Sequence, residues 1–152
     1  MGLRRKAREL AMQTLFCMDM IENKTDELVR RLSDMMEASP EIQPFSDHLI
    51  KGVTENRATI DQMIEQFSDN WKLFRMACVD RNVLRIAVFE MLHCDDIPPR
   101  VAINEAVDIA KKYGTEDSGA FINGILDSIY QKYAPLPSEK KLEIQNPDLP
   151  NT

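Results

Sequence analysis

The pattern of apolar and polar residues predicts an all-helical chain built around one buried helix. Between about residues 79 and 94, apolar residues fall on nearly every side of a helix. The polar exceptions are Asp80, Arg81, Asn82, Arg85, Glu90 and His93. A helix that is apolar over most of its circumference must be covered by other helices. We therefore expect this segment to be the centre of the core.

Amphipathic helices are predicted on both sides of this central helix. Apolar residues recur at helical spacing over about residues 3–21, 26–38, 44–67, 100–113 and 118–133. This spacing is typical of helices that turn one face to a core. Prolines 98 and 99 should separate the central helix from its successor, because proline cannot continue a helix but suits the start of one. No convincing strand or internal repeat is present.

Glycines and short connectors carry further expectations. Gly52, with the polar run at 54–57, predicts a bend in the long third helix. Gly114 is expected to end a helix in a left-handed conformation, and Gly124 to allow close approach of another backbone. The connector at 71–76 should pack its apolar residues under the central helix. Prolines and charges from residue 135 onward predict a loose tail over 135–152.

Charge changes the picture at the start of the chain. The 152 residues carry a net charge of -6, yet four basic residues and no acidic one lie among the first eight. These are Arg4, Arg5, Lys6 and Arg8. Positive charge at a helix N-terminus opposes the helix dipole, so the cluster costs stability and indicates a use. It can be a phosphate-binding site or solvated surface.

Catalytic and metal-binding patterns are largely missing from the sequence. It has two histidines, three widely spaced cysteines and no glycine-rich phosphate loop, so no catalytic residue, metal site or cofactor is predicted. Glu90 in the central helix is more consistent with an ion pair to Arg81 or Arg85 than with catalysis. No apolar run approaches the length of a membrane span, and the chain is expected to be cytoplasmic.

One face of the first helix is apolar where a polar face is expected. Opposite its buried stripe lie Met12, Phe16 and Met20. The rest of the chain can cover this face, since methionine and phenylalanine are common core residues. Alternatively it is an exposed patch for a partner protein.

Several motifs together resemble the NusB family of transcription antitermination factors. They are Arg4 to Ala11 with Gln13, Asp80 to Glu90, Ile97-Pro98, Ala102 to Ala106 with Ala110-Lys111, and Phe121 to Asp127. Their order and spacing match the family over about residues 3–133. The resemblance implies one all-α domain over residues 1–134, with two packed three-helix subdomains at about 1–70 and 71–134. One departure is Phe16, where the family often has tyrosine.

The resemblance also implies a function without catalysis. Such a protein binds boxA-type single-stranded RNA in nascent transcripts, notably of ribosomal RNA operons. It pairs with NusE, which is the small-subunit ribosomal protein S10, and reaches the RNA polymerase elongation complex indirectly. The expected RNA-binding residues are Arg4, Arg5, Lys6, Arg8, Gln13, Lys111, Lys112, Asp117 and Phe121. The expected partner-binding residues are Met12, Phe16, Met20 and Asp80.

Within the RNA-binding set, Phe121 has two interpretations. Its ring can stack on a base or belong to the core. Two other functions also remain open: a homo-oligomeric helical interaction module, and a detached RNA-recognition domain of a ribosomal RNA methyltransferase system. The sequence does not distinguish a monomer from a homodimer.

Overall fold

Six α-helices account for most of the chain that the structure, a computed structural model, describes. The described residues are 2–21, 27 and 39–133. The helices are α1 Leu3–Asp19, α2 Gln43–Glu55, α3 Arg57–Phe67, α4 Cys78–His93, α5 Pro99–Tyr113 and α6 Ser118–Tyr133, with a 3-10 helix Leu73–Arg75 before α4. No strand occurs in these ranges. The predicted helix at 26–38, apart from residue 27, and the predicted tail lie outside the described residues.

Helix α4 is the centre of the core, as its all-round apolar pattern predicted. It packs against each of the other five helices. Leu84 and Val88 are fully buried in it, and so are polar side chains such as Asn82 and Glu90. The all-α prediction is confirmed, whereas the division into subdomains near residue 70 stays a prediction. None of the helices in the described ranges is both long and apolar enough to cross a bilayer.

The predicted bend in the third helix is a break into two helices. Asn56, with φ of -113° and ψ of 17°, ends α2 and begins α3. Its backbone N–H donates to Gly52 O over 3.1 Å, and its carbonyl accepts from Ile60 N over 3.0 Å. Hydrogen bonding therefore continues across the break while the axis changes direction.

Three glycines have different roles from those predicted. Gly114 has φ of -97°, so the expected left-handed stop is wrong. A Cβ there would lie 2.5 Å from Ser118 Oγ, so the glycine allows a close approach at the start of α6. The close approach of a backbone predicted at Gly124 is also wrong, because a Cβ there meets nothing within 4 Å among the described residues. A close approach of a side chain occurs instead at Gly52, where a Cβ would lie 2.1 Å from the ring of Phe89.

The connector between α3 and α4 only partly follows its prediction. Leu73 and Met76 are buried under α4, but the rings of Trp71 and Phe74 are exposed. The turn at its start has positive φ at Asp69 and Asn70, 55° and 64°. There Asn70 N donates to Glu65 O over 3.0 Å, which closes the last turn of α3. The connector thus presents two large aromatic side chains to solvent.

Candidate functional site

The basic residues at the start of α1 divide into exposed and paired side chains. Arg4 and Lys6 are exposed. Arg4 lies 3.3 Å from the exposed carboxylate of Asp96, and its guanidinium is 4.8 Å from the ring centre of Phe45. Arg5 is half-buried and pairs with two carboxylates of α5, one of them Asp108 at 2.8 Å. Arg4 and Lys6 are therefore the members of this cluster most accessible to a ligand.

Arg8 is a core residue in this structure. It is 3% exposed, and its Nε donates to Oε1 of Glu90 over 2.7 Å. Glu90 is 1% exposed. The predicted partner of Glu90, Arg81 or Arg85, is therefore wrong, although an ion pair is present. Burial raises the pKa of Glu90, and the nearby Arg8 partly counteracts this. A buried arginine held this way cannot reach RNA phosphates without leaving its carboxylate, so the structure does not support direct RNA contact by Arg8.

The lysines that end α5 connect α1 to α6. Lys112 Nζ lies 2.7 Å from a carboxylate oxygen of Glu9 on α1. The aliphatic stem of Lys111 lies against Gly119, where an added Cβ would be 2.9 Å from Lys111 Cε. Both lysines are exposed, and Gln13, further along α1, is half-buried. Cationic groups thus occur from the first turn of α1 to the first turn of α6.

An open groove with a volume of about 670 Å³ lies between the connector and α6. Phe121 is half-buried in its wall, and the ring of Trp71 lies beside it with 6.5 Å between ring centres. The exposed Asp117 also lines this groove, as does the buried Asp80. Oδ1 of Asp80 has no hydrogen-bond partner among the described residues. Phe121 is therefore neither core nor fully exposed, and one flank of its ring borders solvent.

Sequence reasoning missed Trp71 as part of this site. Its place in an apolar connector predicted burial, whereas 57% of the residue is exposed. The available signal was the Ser68-Asp69-Asn70 turn immediately before it, since a turn that reverses the chain can leave the next side chain outside the core. Ser68 Oγ lies 3.2 Å from both Glu65 O and Trp71 O, and its single hydroxyl hydrogen can be donated to either of them.

The predicted partner patch on α1 is only partly exposed. Met12 is 2% exposed and belongs to the core against α4, so its assignment to an exposed patch is wrong. Phe16 is half-buried and Met20 is largely exposed. Asp80 lies in the groove described above. A partner can therefore reach the C-terminal half of α1 through Phe16 and Met20.

A cluster of ion pairs at the end of α1 was not predicted. The carboxylate of Asp19 accepts hydrogen bonds from Arg57, Arg81 and Arg85 over 2.9, 3.0 and 2.9 Å. Burial works to raise the pKa of Asp19, but the neighbouring arginines and an amide donor lower it to about 2. Arg85 also forms a two-bond pair with Asp61. The cluster ties α1, α3 and α4 together at the end remote from Arg4.

The remaining titratable groups in the described part of the chain do not form a catalytic arrangement. Cys94 Sγ is 3.9 Å from a ring nitrogen of His48. Burial raises the pKa of the Cys94 thiol to about 11, so it stays protonated at neutral pH. Within the described ranges, no three His, Cys, Asp or Glu residues are grouped so as to hold a metal ion. The site is therefore suited to binding through charge, apolar contact and ring stacking.

Comparisons with known proteins find similar proteins in one family. The NusB family model matches residues 5–131. The transcription antitermination protein NusB of Desulfatibacillum aliphaticivorans is 51% identical, over 86% of this chain and 91% of that protein. The NusB of Desulforapulum autotrophicum is also 51% identical, over 85% of this chain and 92% of its own length.

Solved structures show the same similarity. T. maritima NusB superposes with a TM-score of 0.79 at 36% identity, covering 92% of this chain and 96% of that one. A crystal structure of the antitermination factors NusB and NusE in complex with dsRNA contains a chain that superposes with a TM-score of 0.76 at 28% identity. That alignment covers 88% of this chain and 99% of the other.

Proposed function

This chain belongs to the NusB family of transcription antitermination factors, and we propose that it binds boxA-type single-stranded RNA together with NusE, the ribosomal protein S10. A factor of this kind is an RNA-binding adaptor and not an enzyme. The proposal includes ribosomal RNA transcripts as the main targets and an indirect connection to the elongating polymerase. A solved relative that contains NusB, NusE and RNA supports the choice of partners.

The observation that carries the RNA proposal is a set of exposed cationic residues on two helices in contact, next to the helix that lines the aromatic groove. Arg4 and Lys6 lie on α1, Lys111 and Lys112 lie on α5, and Phe121 lies on α6. Lys112 pairs with Glu9 on α1 and Lys111 packs on Gly119 of α6, so the three helices are in contact here, and we call these residues the RNA path. Cationic side chains neutralise phosphates, and an accessible ring provides a stacking surface for an unpaired base.

The groove provides more than one ring. Trp71 beside Phe121 widens the apolar surface on which bases can stack, and stacking contributes about 1 to 3 kcal/mol per base. Asp117 at the rim adds negative charge near the phosphates and should lower affinity while favouring bases that can donate a hydrogen bond. Arg5 and Gln13 border the path, and Arg8 supports it by positioning α1 through Glu90.

We place the NusE-binding surface on the C-terminal half of α1. Phe16 and Met20 provide apolar contact there, and Asp80 adds a carboxylate at the edge of the groove. Aromatic residues and methionine are enriched in protein interfaces, which supports this assignment. With the groove lined by both Asp80 and Phe121, RNA and NusE would bind side by side.

The proposal is tested by measuring RNA affinity against salt concentration. The substrates are a boxA-like oligonucleotide, a scrambled one and a duplex, each with and without S10. Alanine at both Arg4 and Lys6 should lower the salt slope by about 0.7 per lost phosphate contact. The control replaces Lys51, an exposed lysine on α2 that is not part of this path, and should leave affinity unchanged.

Sequence preference that becomes stronger when S10 is added is the expected result. Equal binding of boxA-like and scrambled RNA, with or without S10, would contradict the proposal. Tighter binding of the duplex would show instead that the path recognises double-stranded RNA. An unchanged salt slope in the variant with alanine at both Arg4 and Lys6 would indicate that RNA binds to another surface.

A further inference from the structure

A pocket at the C-terminal end of α1 is not used by the proposed RNA path. Its volume is about 240 Å³, and it opens to solvent beside the Asp19 cluster. Its lining residues are Asp19, Arg57, Leu73, Phe74, Arg81 and Arg85. Arg4 and Lys6 are more than three helical turns away along α1, so this is a second, separate concentration of arginines.

The charges in this pocket do not balance. Three guanidinium groups, of Arg57, Arg81 and Arg85, face the two carboxylates of Asp19 and Asp61. Counted over the described residues, three positive and two negative charges leave a formal excess of one positive charge. The whole chain carries -6, so this excess is local. A single additional anion would neutralise the cluster.

The three arginines differ in whether they can donate hydrogen bonds to an additional anion. The side chain of Arg85 is 5% exposed and engaged by both carboxylates, so its role is structural. The side chain of Arg57 is 38% exposed and that of Arg81 is 17% exposed. Arg57 bonds to Asp19 through Nη2, and its Nη1 has no partner among the described residues. Arg57, with Arg81 behind it, can therefore donate to a ligand in the pocket.

The rim of the pocket is apolar, and its backbone is anchored by neighbouring contacts. Phe74 is 74% exposed, the most exposed large apolar residue among those described. The neighbouring Leu73 is buried, its backbone N–H donates to Glu65 Oε1 over 3.2 Å, and Arg75 lies 5.8 Å from the Phe74 ring centre. An anchored backbone reduces the conformational freedom that is lost when a partner covers this segment. Met20, also exposed, directly follows Asp19.

We propose that this pocket binds an acidic side chain, aspartate or glutamate, of the protein partner, with Phe74 packing on apolar surface next to that residue. The inference rests on the proposed function, since it names the chemistry by which NusE is recognised. A planar carboxylate matches the donor geometry of arginine, and partly buried arginines have already lost part of their hydration. Phenylalanine and arginine are both among the residue types enriched in protein interfaces.

A protein carboxylate fits the pocket better than an RNA phosphate does. RNA binding needs several accessible cations spread along a surface, because successive phosphates follow one another along the strand. In this pocket, Asp19 and Asp61 leave an excess of only one charge, enough for one carboxylate. Phe74 and Met20 extend the surface as apolar area, which a folded protein partner can bury.

The test measures S10 binding and RNA binding separately for four proteins: wild type, Arg57→Gln, Phe74→Ala and the control Lys51→Gln. Lys51 is an exposed cation near the end of α2, so its variant removes the same charge outside the pocket. Arg57→Gln and Phe74→Ala should each weaken S10 binding by at least about tenfold, while the affinity of the chain alone for RNA stays unchanged. The control should match wild type in both assays. Because Phe74 is exposed, its variant tests the pocket without loss of folding.

A double-mutant cycle then identifies the acidic residue. Each surface aspartate or glutamate of S10 is changed to its amide and measured against wild type and Arg57→Gln. One of these changes should weaken binding to wild type by about tenfold and have little further effect in Arg57→Gln, because both remove the same contact.

Three results would overturn the inference. If both pocket variants bind S10 as the control does, the pocket is not part of the interface, although the proposed function would stand. If Arg57→Gln loses RNA affinity and keeps S10 affinity, the pocket is a phosphate site. If wild type binds neither S10 nor boxA-like RNA, the proposed function itself fails and the inference fails with it.

Discussion

Replacing Arg8 tests whether this arginine is a core residue or an RNA contact. Its pair with Glu90 spans 2.7 Å, with side-chain exposures of 4% and 1%. In Arg8→Met, the carboxylate of Glu90 stays in the interior without its cation, and its Oε2 already lacks a partner among the described residues. Breaking such a buried pair costs about 3 to 5 kcal/mol. For a chain of this size that corresponds to a fall in Tm of roughly 6 to 20 °C.

The buried pair also predicts that a second substitution restores stability to Arg8→Met and that the stability lost in this variant depends on pH. Arg8→Met combined with Glu90→Leu should be more stable than Arg8→Met alone, because no charge is left in the interior. Burial already raises the pKa of Glu90, and loss of Arg8 raises it further. A carboxyl with a raised pKa binds more protons in the folded state than in the unfolded state, so its contribution to stability improves as pH falls. The difference in stability between Arg8→Met and wild type should therefore be smaller at about pH 5.5 than at about pH 7.5.

Thermal unfolding of the variants at both pH values is the assay, with Arg4→Met as the matched control. Arg4 lies one helical turn earlier and pairs with an exposed carboxylate, so its replacement should change stability by less than about 1 kcal/mol. Equal melting temperatures for Arg8→Met and Arg4→Met would refute the argument that the pair is buried and stabilising. A folded double variant that loses as much RNA affinity as Arg4→Met would show direct contact by Arg8.

Three further predictions concern helix packing, acid stability and the partner surface. Gly52→Ala should destabilise the protein by about 1 to 3 kcal/mol, because the added Cβ meets the Phe89 ring. Gly124→Ala should stabilise it by up to about 1 kcal/mol, because alanine is the better helix former. Equal effects of the two variants in a denaturant titration would contradict this prediction. The pKa of the Asp19 carboxyl is lowered from 3.8 to about 2, so this group stabilises the fold above pH 3.8 and the stabilisation is lost as pH falls toward 2. Asp19→Asn should remove this part of the acid transition when unfolding is followed against pH. Phe16→Ala should keep Tm within a few degrees, since the ring is half-buried, and should weaken S10 binding at least about tenfold. A large fall in Tm would show that the ring is part of the core.

Local periodicity was sufficient to predict the helices of the described residues and the central position of α4, except that α2 and α3 were predicted as one bent helix. Apolar spacing depends on residues three and four apart, which are neighbours in any helix whatever the rest of the chain does. The break before Pro99 followed from proline geometry for the same reason. In the candidate site, the basic cluster that contains the exposed Arg4 and Lys6 was likewise evident from residue type and position, whereas the sequence left open whether the ring of Phe121 is core or accessible.

Only the tertiary structure decided which residues of one helix face are buried. Arg4 and Arg8 are one turn apart and identical in type, yet Arg8 lies opposite Glu90 of α4 while Arg4 extends past the end of the core. Met12 and Met20 differ in the same way, because α4 covers the first and the second follows the end of α1.

Pairings between distant residues were equally beyond the sequence. Glu90 has arginines five and nine positions away on its own helix, but its partner lies 82 residues away, because helix packing and not chain proximity brings charges together. Gly52 and Gly124 show the same limit of sequence-based prediction. Whether the missing side chain makes room for a neighbour depends on what lies opposite, which is the ring of Phe89 at Gly52 and, among the described residues, nothing within 4 Å at Gly124. The sequence by itself determined the helices and their charge, and the packing of those helices determined which of these charges and rings remain available for binding.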